Sequence, residues 1–156
     1  MKKILLIYII FFINCLLIND LLADENDNVY MSLKFNETNF RAGPSLDFPI
    51  LFTYKLKSVP IKVVGEYDKW FKIIDKDGDS GWVSEHLLSK TKTIIIIKNN
   101  QILYSNYNNE AYPIYKIEQY VTGKLIKCRF NRCKIKIKKI KGWIDKNSIW
   151  GMEEEI

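Results

Sequence analysis

With a single histidine, His86, and only three cysteines among 156 residues, the chain has little from which to build a metal centre or a histidine-based catalytic device. One imidazole without a cluster of further ligands leaves both a tetrahedral site and a Ser-His-Asp arrangement without their parts. His86 falls in the segment Ser84 to Leu88, which reads as a short helical turn, and it is assigned a surface or turn role. The acidic stretch Asp75 to Asp79 lacks the loop length and the closing bidentate glutamate of a calcium loop, so it reads as a solvated hairpin turn. No metal, cofactor or catalytic residue is expected, and the chain is read as non-enzymatic. From Val29 to Leu88 no long period of 3.6 residues runs through the sequence, which argues against long amphipathic helices there.

What the chain does have is apolar and aromatic content, 47% and 13%, enough to argue for a folded protein and against disorder. Its formal charge is +6, and the charge is unevenly placed. Residues 29–90 carry 9 basic and 8 acidic side chains, whereas residues 91–150 carry 13 and 3. The first residues stand apart from both halves. Lys2 and Lys3 precede an apolar run from Ile4 to Ile18, and Ala23 stands before Asp24. This is the pattern of an export signal over residues 1–23, with cleavage expected near Asp24, because the apolar run is shorter than the ~20 residues a spanning helix needs. The alternative is an uncleaved N-terminal helix that anchors the protein.

The stretch Trp70 to Val83 reads as a β-hairpin. Phe71 and Ile73 alternate with Lys72, Asp77-Gly78 supplies the turn, and Trp82 and Val83 resume the apolar face. Val29 to Lys34 and Ile61 to Val64 read as further strands, punctuated by Gly43-Pro44, Pro49 and Pro60. The second half follows the same order. Thr93 to Ile97, Gln101 to Tyr104 and Tyr115 to Val121 are candidate strands, with Pro113 as an interruption. Cys133 to Lys138 alternates strictly, and Lys141-Gly-Trp-Ile144 echoes Ser80-Gly-Trp-Val83. The fold class is therefore all-β. Two small barrels are expected, at residues 29–90 and 91–152, each of a size that folds alone only marginally and joined by a linker too short to let them tumble apart.

Asn39-Phe-Arg-Ala-Gly-Pro-Ser45, the strand from Trp70 and Gly81-Trp82-Val83 together resemble the bacterial SH3-like (SH3b) domain. The second half departs from that pattern, because it lacks the Arg-x-Gly-Pro opening. It keeps Cys128 with Cys133, the strand Gly142-Trp143-Ile144 and the ending Ile149-Trp-Gly151, and so resembles the divergent second repeat of exported tandem SH3-like proteins of alphaproteobacterial type. The resemblance implies two SH3-like β-barrels in tandem and a non-catalytic module of the cell envelope that binds cell-wall glycan or peptide. It does not imply a particular ligand.

Export would place Cys128 and Cys133 in an oxidising compartment, and with Cys15 removed in the signal they are expected to bond to each other across Arg129 to Arg132. Zinc is the weaker reading, since two thiolates do not complete a site. Lys134, Lys136 and Lys138, with Arg129 and Arg132, form a basic surface. That surface reads either as an ordinary solvated lysine face or as one that attracts an acidic envelope partner. Nucleic acid is disfavoured by export. In the first half Tyr54, Tyr67, Trp70, Phe71 and Trp82 are assigned mostly to the core. Tyr67 and Trp70 are candidate ligand contacts, and Arg41 is a candidate for a carboxylate, though a hydrogen bond that stabilises its own turn is the commoner fate of such an arginine. The function expected is a periplasmic or secreted binding or adaptor module whose partner is an envelope component or envelope protein. The alternatives are a regulator or accessory subunit of a cell-wall hydrolase and a secreted protein that meets a host partner.

Overall fold

The computed structural model describes residues 29–153; the expected signal at residues 1–23 lies outside them. Strands β1 (Tyr30–Leu33), β2 (Thr38–Arg41), β3 (Ile50–Tyr54), β4 (Pro60–Tyr67), β5 (Trp70–Ile74), β6 (Ser80–Ser84) and β7 (Leu88–Ser89) form one sheet. A second sheet holds β8 (Thr93–Ile96), β9 (Gln101–Tyr104), β10 (Pro113–Ile117), β11 (Thr122–Arg129), β12 (Arg132–Ile137), β13 (Ile140–Asp145) and β14 (Ile149–Trp150). The first sheet runs β3-β2-β6-β5-β4-β1-β7 and the second β10-β9-β13-β12-β11-β8-β14, the same order seven strands later. Among the described residues the only helical pieces are single 3-10 turns at Glu85–Leu87 and Lys146–Ser148. The all-β architecture with two SH3-like units is the one expected.

Alternation explains which face each central strand buries. On β5, Ile73 is buried and Lys72 exposed; on β12, Cys133 and Ile135 are buried while Lys136 faces water. The β5-β6 connection is the expected turn, with Gly78 at φ 88°, a conformation that side chains with a Cβ resist. Asp75 organises it from inside. Its Oδ1 accepts the backbone N–H groups of Asp77 and Asp79, each at 2.9 Å, and its Oδ2 accepts the Tyr54 hydroxyl. Burial, reinforced by that bond to Asp75, holds the Tyr54 phenol well above its ordinary pKa.

Two strands depart from the sequence expectation. β3 is not among the expected strands; it follows Pro49 at the edge of the sheet, paired on one side with β2, and packs Phe52 and Tyr54 against the core while Ile50 and Leu51 stay exposed. The expected strand Tyr115 to Val121 is instead the end of β10 and a turn. Tyr120 takes φ 66° and donates its N–H to the Ile96 carbonyl at 2.8 Å, after which β11 begins. Pro113 opens β10 and does not interrupt it; as the first residue of an edge strand, it costs no ladder bond that a neighbour requires.

Each sheet closes over its own core. Leu33, Phe40, Ile61, Ile73 and Val83 fill the first; Ile94, Ile96, Leu103, Ile135 and Ile144 fill the second. The units also touch, as the short linker requires. The Tyr30 and Trp150 rings meet edge to face at 5.3 Å, the Ser32 hydroxyl donates to the Thr91 carbonyl at 3.0 Å, and the Lys76 ammonium lies 4.8 Å from the Tyr120 ring. Gly151, at φ 115°, fits against Pro60 so closely that an added Cβ would come within 2.5 Å of the proline ring.

Candidate functional site

The cross-strand registers allow the two units to be compared position by position. Trp82 on β6 is opposite Arg41 on β2 and Lys72 on β5; Trp143 on β13 is opposite Tyr104 on β9 and Lys134 on β12. Two residues further along, Trp70 faces Ser84 in the first sheet and Arg132 faces Asp145 in the second. One step across, Tyr67 pairs with Trp70 and Arg129 with Arg132. The residue pairs Arg41/Tyr104, Tyr67/Arg129 and Trp70/Arg132 are therefore equivalent places, at each of which one unit carries an aromatic ring and the other an arginine.

In the first unit the three candidate contacts do not converge. Tyr67, 64% exposed, and the half-buried Trp70 are cross-strand partners at the β4-β5 turn. Arg41 lies on β2, across β6 from them, and its Nη1 donates to the carbonyls of Leu46 (3.1 Å) and Phe48 (2.8 Å). Those bonds hold the β2-β3 loop. The aromatic cluster is also less central than expected: Tyr54 and Phe71 pack against the core only partly buried, while the fully buried ring is Phe40. His86 sits exposed on its 3-10 turn, with Nδ1 2.9 Å from the Ser84 hydroxyl.

In the second unit the corresponding face is built from cations and rings in contact. Tyr107, from the β9-β10 loop, lies over Trp143 with ring centroids 5.0 Å apart, and Trp143 is only 4% exposed. Arg129 donates from Nη1 to the Tyr107 hydroxyl at 2.7 Å and lies 5.1 Å from its ring. Arg132 stacks 4.2 Å from the Tyr104 ring and donates from Nη1 to the Asn106 carbonyl at 3.2 Å. The ammonium groups of Lys127 and Lys134 are 6.0 and 5.9 Å from the Trp143 ring. Each such contact contributes about 0.5–1 kcal/mol at an exposed site. Phe130, 85% exposed, extends the aromatic edge at the hairpin tip. Lys136 is exposed on β12, and Lys138 lies beyond the strand in the β12-β13 turn at φ 53°.

Tyr104, Asn106 and Tyr107 were not anticipated. The signal available for them was a pair of tyrosines three apart in an asparagine-rich loop, and nothing local to that loop says that it folds back over a tryptophan nearly forty residues later. Beside them is a cleft of about 430 Å³ whose walls include Lys98, Asn100, Tyr104, Arg132, Asp145 and Asn147. The only ion pair among the described residues is Lys76 with Asp77, so Lys98, Arg132 and Asp145 line the cleft without forming salt bridges.

The expected disulfide is present. Cys128 and Cys133 are directly opposed on β11 and β12 and bonded at 2.02 Å, in the place that Glu66 and Phe71 hold in the first sheet. Met152 packs its sulfur 3.6 Å from Cys133 Sγ and 3.9 Å from Cys128 Sγ, so the chain end folds back over the bond.

Residues 34–90 match the bacterial SH3 domain, a span that takes in the Arg41 to Pro44 turn and the Gly81-Trp82-Val83 strand. No curated protein matches the chain. Among solved structures, NlpC2 from Trichomonas vaginalis is 11% identical with a TM-score of 0.38, over 85% of this chain and 51% of that one. NlpC1 from the same organism is 11% identical with a TM-score of 0.38, over 86% and 49%. The chain spans about half the length of each. A likeness of that degree carries no function across.

Proposed function

We propose that this protein is an exported, non-enzymatic binding module of the bacterial cell envelope, built from a duplicated SH3-like unit in which the second copy has diverged into the contact surface. The first unit, with its bacterial SH3 match, is the basis for placing it at the cell wall. The observation that carries the binding role is the cation and aromatic face of the second unit. Arg129, Arg132, Lys127 and Lys134 are laid against Tyr104, Tyr107 and Trp143, and none of the four cations is ion-paired. Such a face offers positive charge, held in place by the rings beneath it, to acidic envelope material, with the exposed Phe130 ring at its edge for a sugar or peptide. Tyr67 and Trp70 offer a smaller aromatic pair on the first unit.

The test is co-sedimentation of the full chain with purified peptidoglycan, alongside affinity purification from an envelope fraction. Retention by the glycan without its breakdown supports a wall-binding module. Retention of a hydrolase in place of the glycan would favour the reading as a regulator of that enzyme. Release of soluble fragments from the glycan would contradict the non-enzymatic reading.

A further inference from the structure

We infer that the cleft between the β8-β9 connection and the β12-β13 ladder of the second unit is a binding site for the free carboxylate end of a short peptide. The walls carry two cations, Lys98 and Arg132, and one carboxylate, Asp145, with neutral Asn100 and Asn147 between them. Arg132 is already oriented, since its guanidinium lies 4.2 Å from the Tyr104 ring and one nitrogen is fixed on the Asn106 carbonyl. A planar guanidinium held in this way presents its remaining N–H groups as a fork suited to a carboxylate. Asp145 is its cross-strand partner, yet the two form no ion pair, and Asp145 Oδ1 accepts the Asn147 N–H at 2.8 Å.

The charge balance selects the ligand. A phosphate would bring its second charge beside Asp145, whereas one carboxylate satisfies the net single positive charge of the walls. Asp145 and the two asparagines then suit a ligand whose carboxylate is flanked by an amide N–H, which is the chemistry of a peptide's C-terminal residue. A volume of about 430 Å³ suits a ligand of dipeptide size. The first unit has no counterpart, because Trp70 and Ser84 stand where Arg132 and Asp145 do. This inference shares Arg132 and Tyr104 with the proposed contact face and goes beyond that reading in assigning the cleft a ligand with a free carboxylate.

The experiment is a titration of the full chain with N-acetyl-alanyl-alanine, followed by amide chemical shifts, with the C-terminal amide of the same dipeptide and inorganic phosphate as separate arms. The acid should move the signals of Tyr104, Arg132 and Asp145 saturably, and the amide derivative should leave them in place. Arg132→Gln should weaken binding about tenfold or more, as loss of a charge-assisted bond does. Because Arg132 also braces Asn106, Lys98→Gln on the exposed cleft wall is the second variant and should weaken binding with the spectrum otherwise unchanged; Lys57→Gln, exposed on the first unit, should have no effect. Equal shifts with acid and amide, tighter binding of phosphate at the same signals, or parental affinity in Lys98→Gln would each overturn the assignment.

Discussion

Arg132 stands in the second sheet where Trp70 stands in the first: each faces the residue two beyond the Gly-Trp tryptophan, Asp145 in one case and Ser84 in the other. The exchange is not isolated, because Tyr67 gives way to Arg129 and Arg41 to Tyr104 at neighbouring places. Ring and cation have changed sides while the ladder stayed the same. The two units thus share a frame and present different chemistry on it.

The two equivalent tryptophans should differ in what they contribute. Trp143 is buried beneath Tyr107, whereas Trp82 is half-exposed. Trp143→Ala should cost about 3–5 kcal/mol, enough to unfold a unit of this size. Trp82→Ala should cost clearly less. Urea denaturation of both variants checks this, and equal losses would contradict the buried placement of Trp143.

Reducing the disulfide should loosen the second unit first. The closed loop is short, so the bond restricts the unfolded chain by about 2 kcal/mol on the loop-entropy account. Thiol titration of the denatured, unreduced protein should find neither Cys128 nor Cys133 free. After reduction, amide exchange should accelerate along β11 and β12 and leave β4 and β5 as they were.

The Tyr54 to Asp75 bond gives the first unit a distinct response to alkali. Because the folded pKa of Tyr54 is raised, the fold binds that proton more tightly than the unfolded chain does. Its contribution is complete below the unfolded value of about 10 and is lost as pH rises from there toward the folded pKa. Thermal unfolding between pH 8 and pH 11 should therefore show a steeper fall above pH 10 in the parent than in Tyr54→Phe. Parallel curves would contradict it.

Export should leave a mature N-terminus near Asp24. Mass spectrometry of envelope fractions checks this directly. Full-length chain alone would favour the anchored form.

Much of the frame was legible because alternation is a short-range signal. Phe71, Ile73, Cys133 and Ile135 mark buried faces by period two, and Asp77-Gly78 marks its turn. The Cys128 to Cys133 bond was legible from spacing and from the compartment that the N-terminal pattern implies. Edge strands were harder. β3 lies at the edge of its sheet, and the sequence reading of Tyr115 to Val121 as one strand runs the edge strand β10 into the turn before β11, because the left-handed turn at Tyr120 has no glycine to announce it. The site was legible only as composition. Arg129 and Arg132 were picked out as basic, but their stacking on Tyr107 and Tyr104 depends on a loop returning across the sheet, a long-range contact that no local pattern encodes.

The measurement that bears most directly on the binding role is the fraction of full-length protein that sediments with purified peptidoglycan, compared between the parent and a variant carrying Lys127→Gln, Lys134→Gln and Lys136→Gln. These three ammonium groups make no ion pair, and since Lys127 and Lys134 also lie against the Trp143 ring, the comparison is made on a variant shown by circular dichroism to keep the parental fold. The account predicts that the parent is retained, that retention weakens as salt is raised, and that the triple variant is largely released. Sedimentation of parent and variant to the same extent, or of neither, would contradict it.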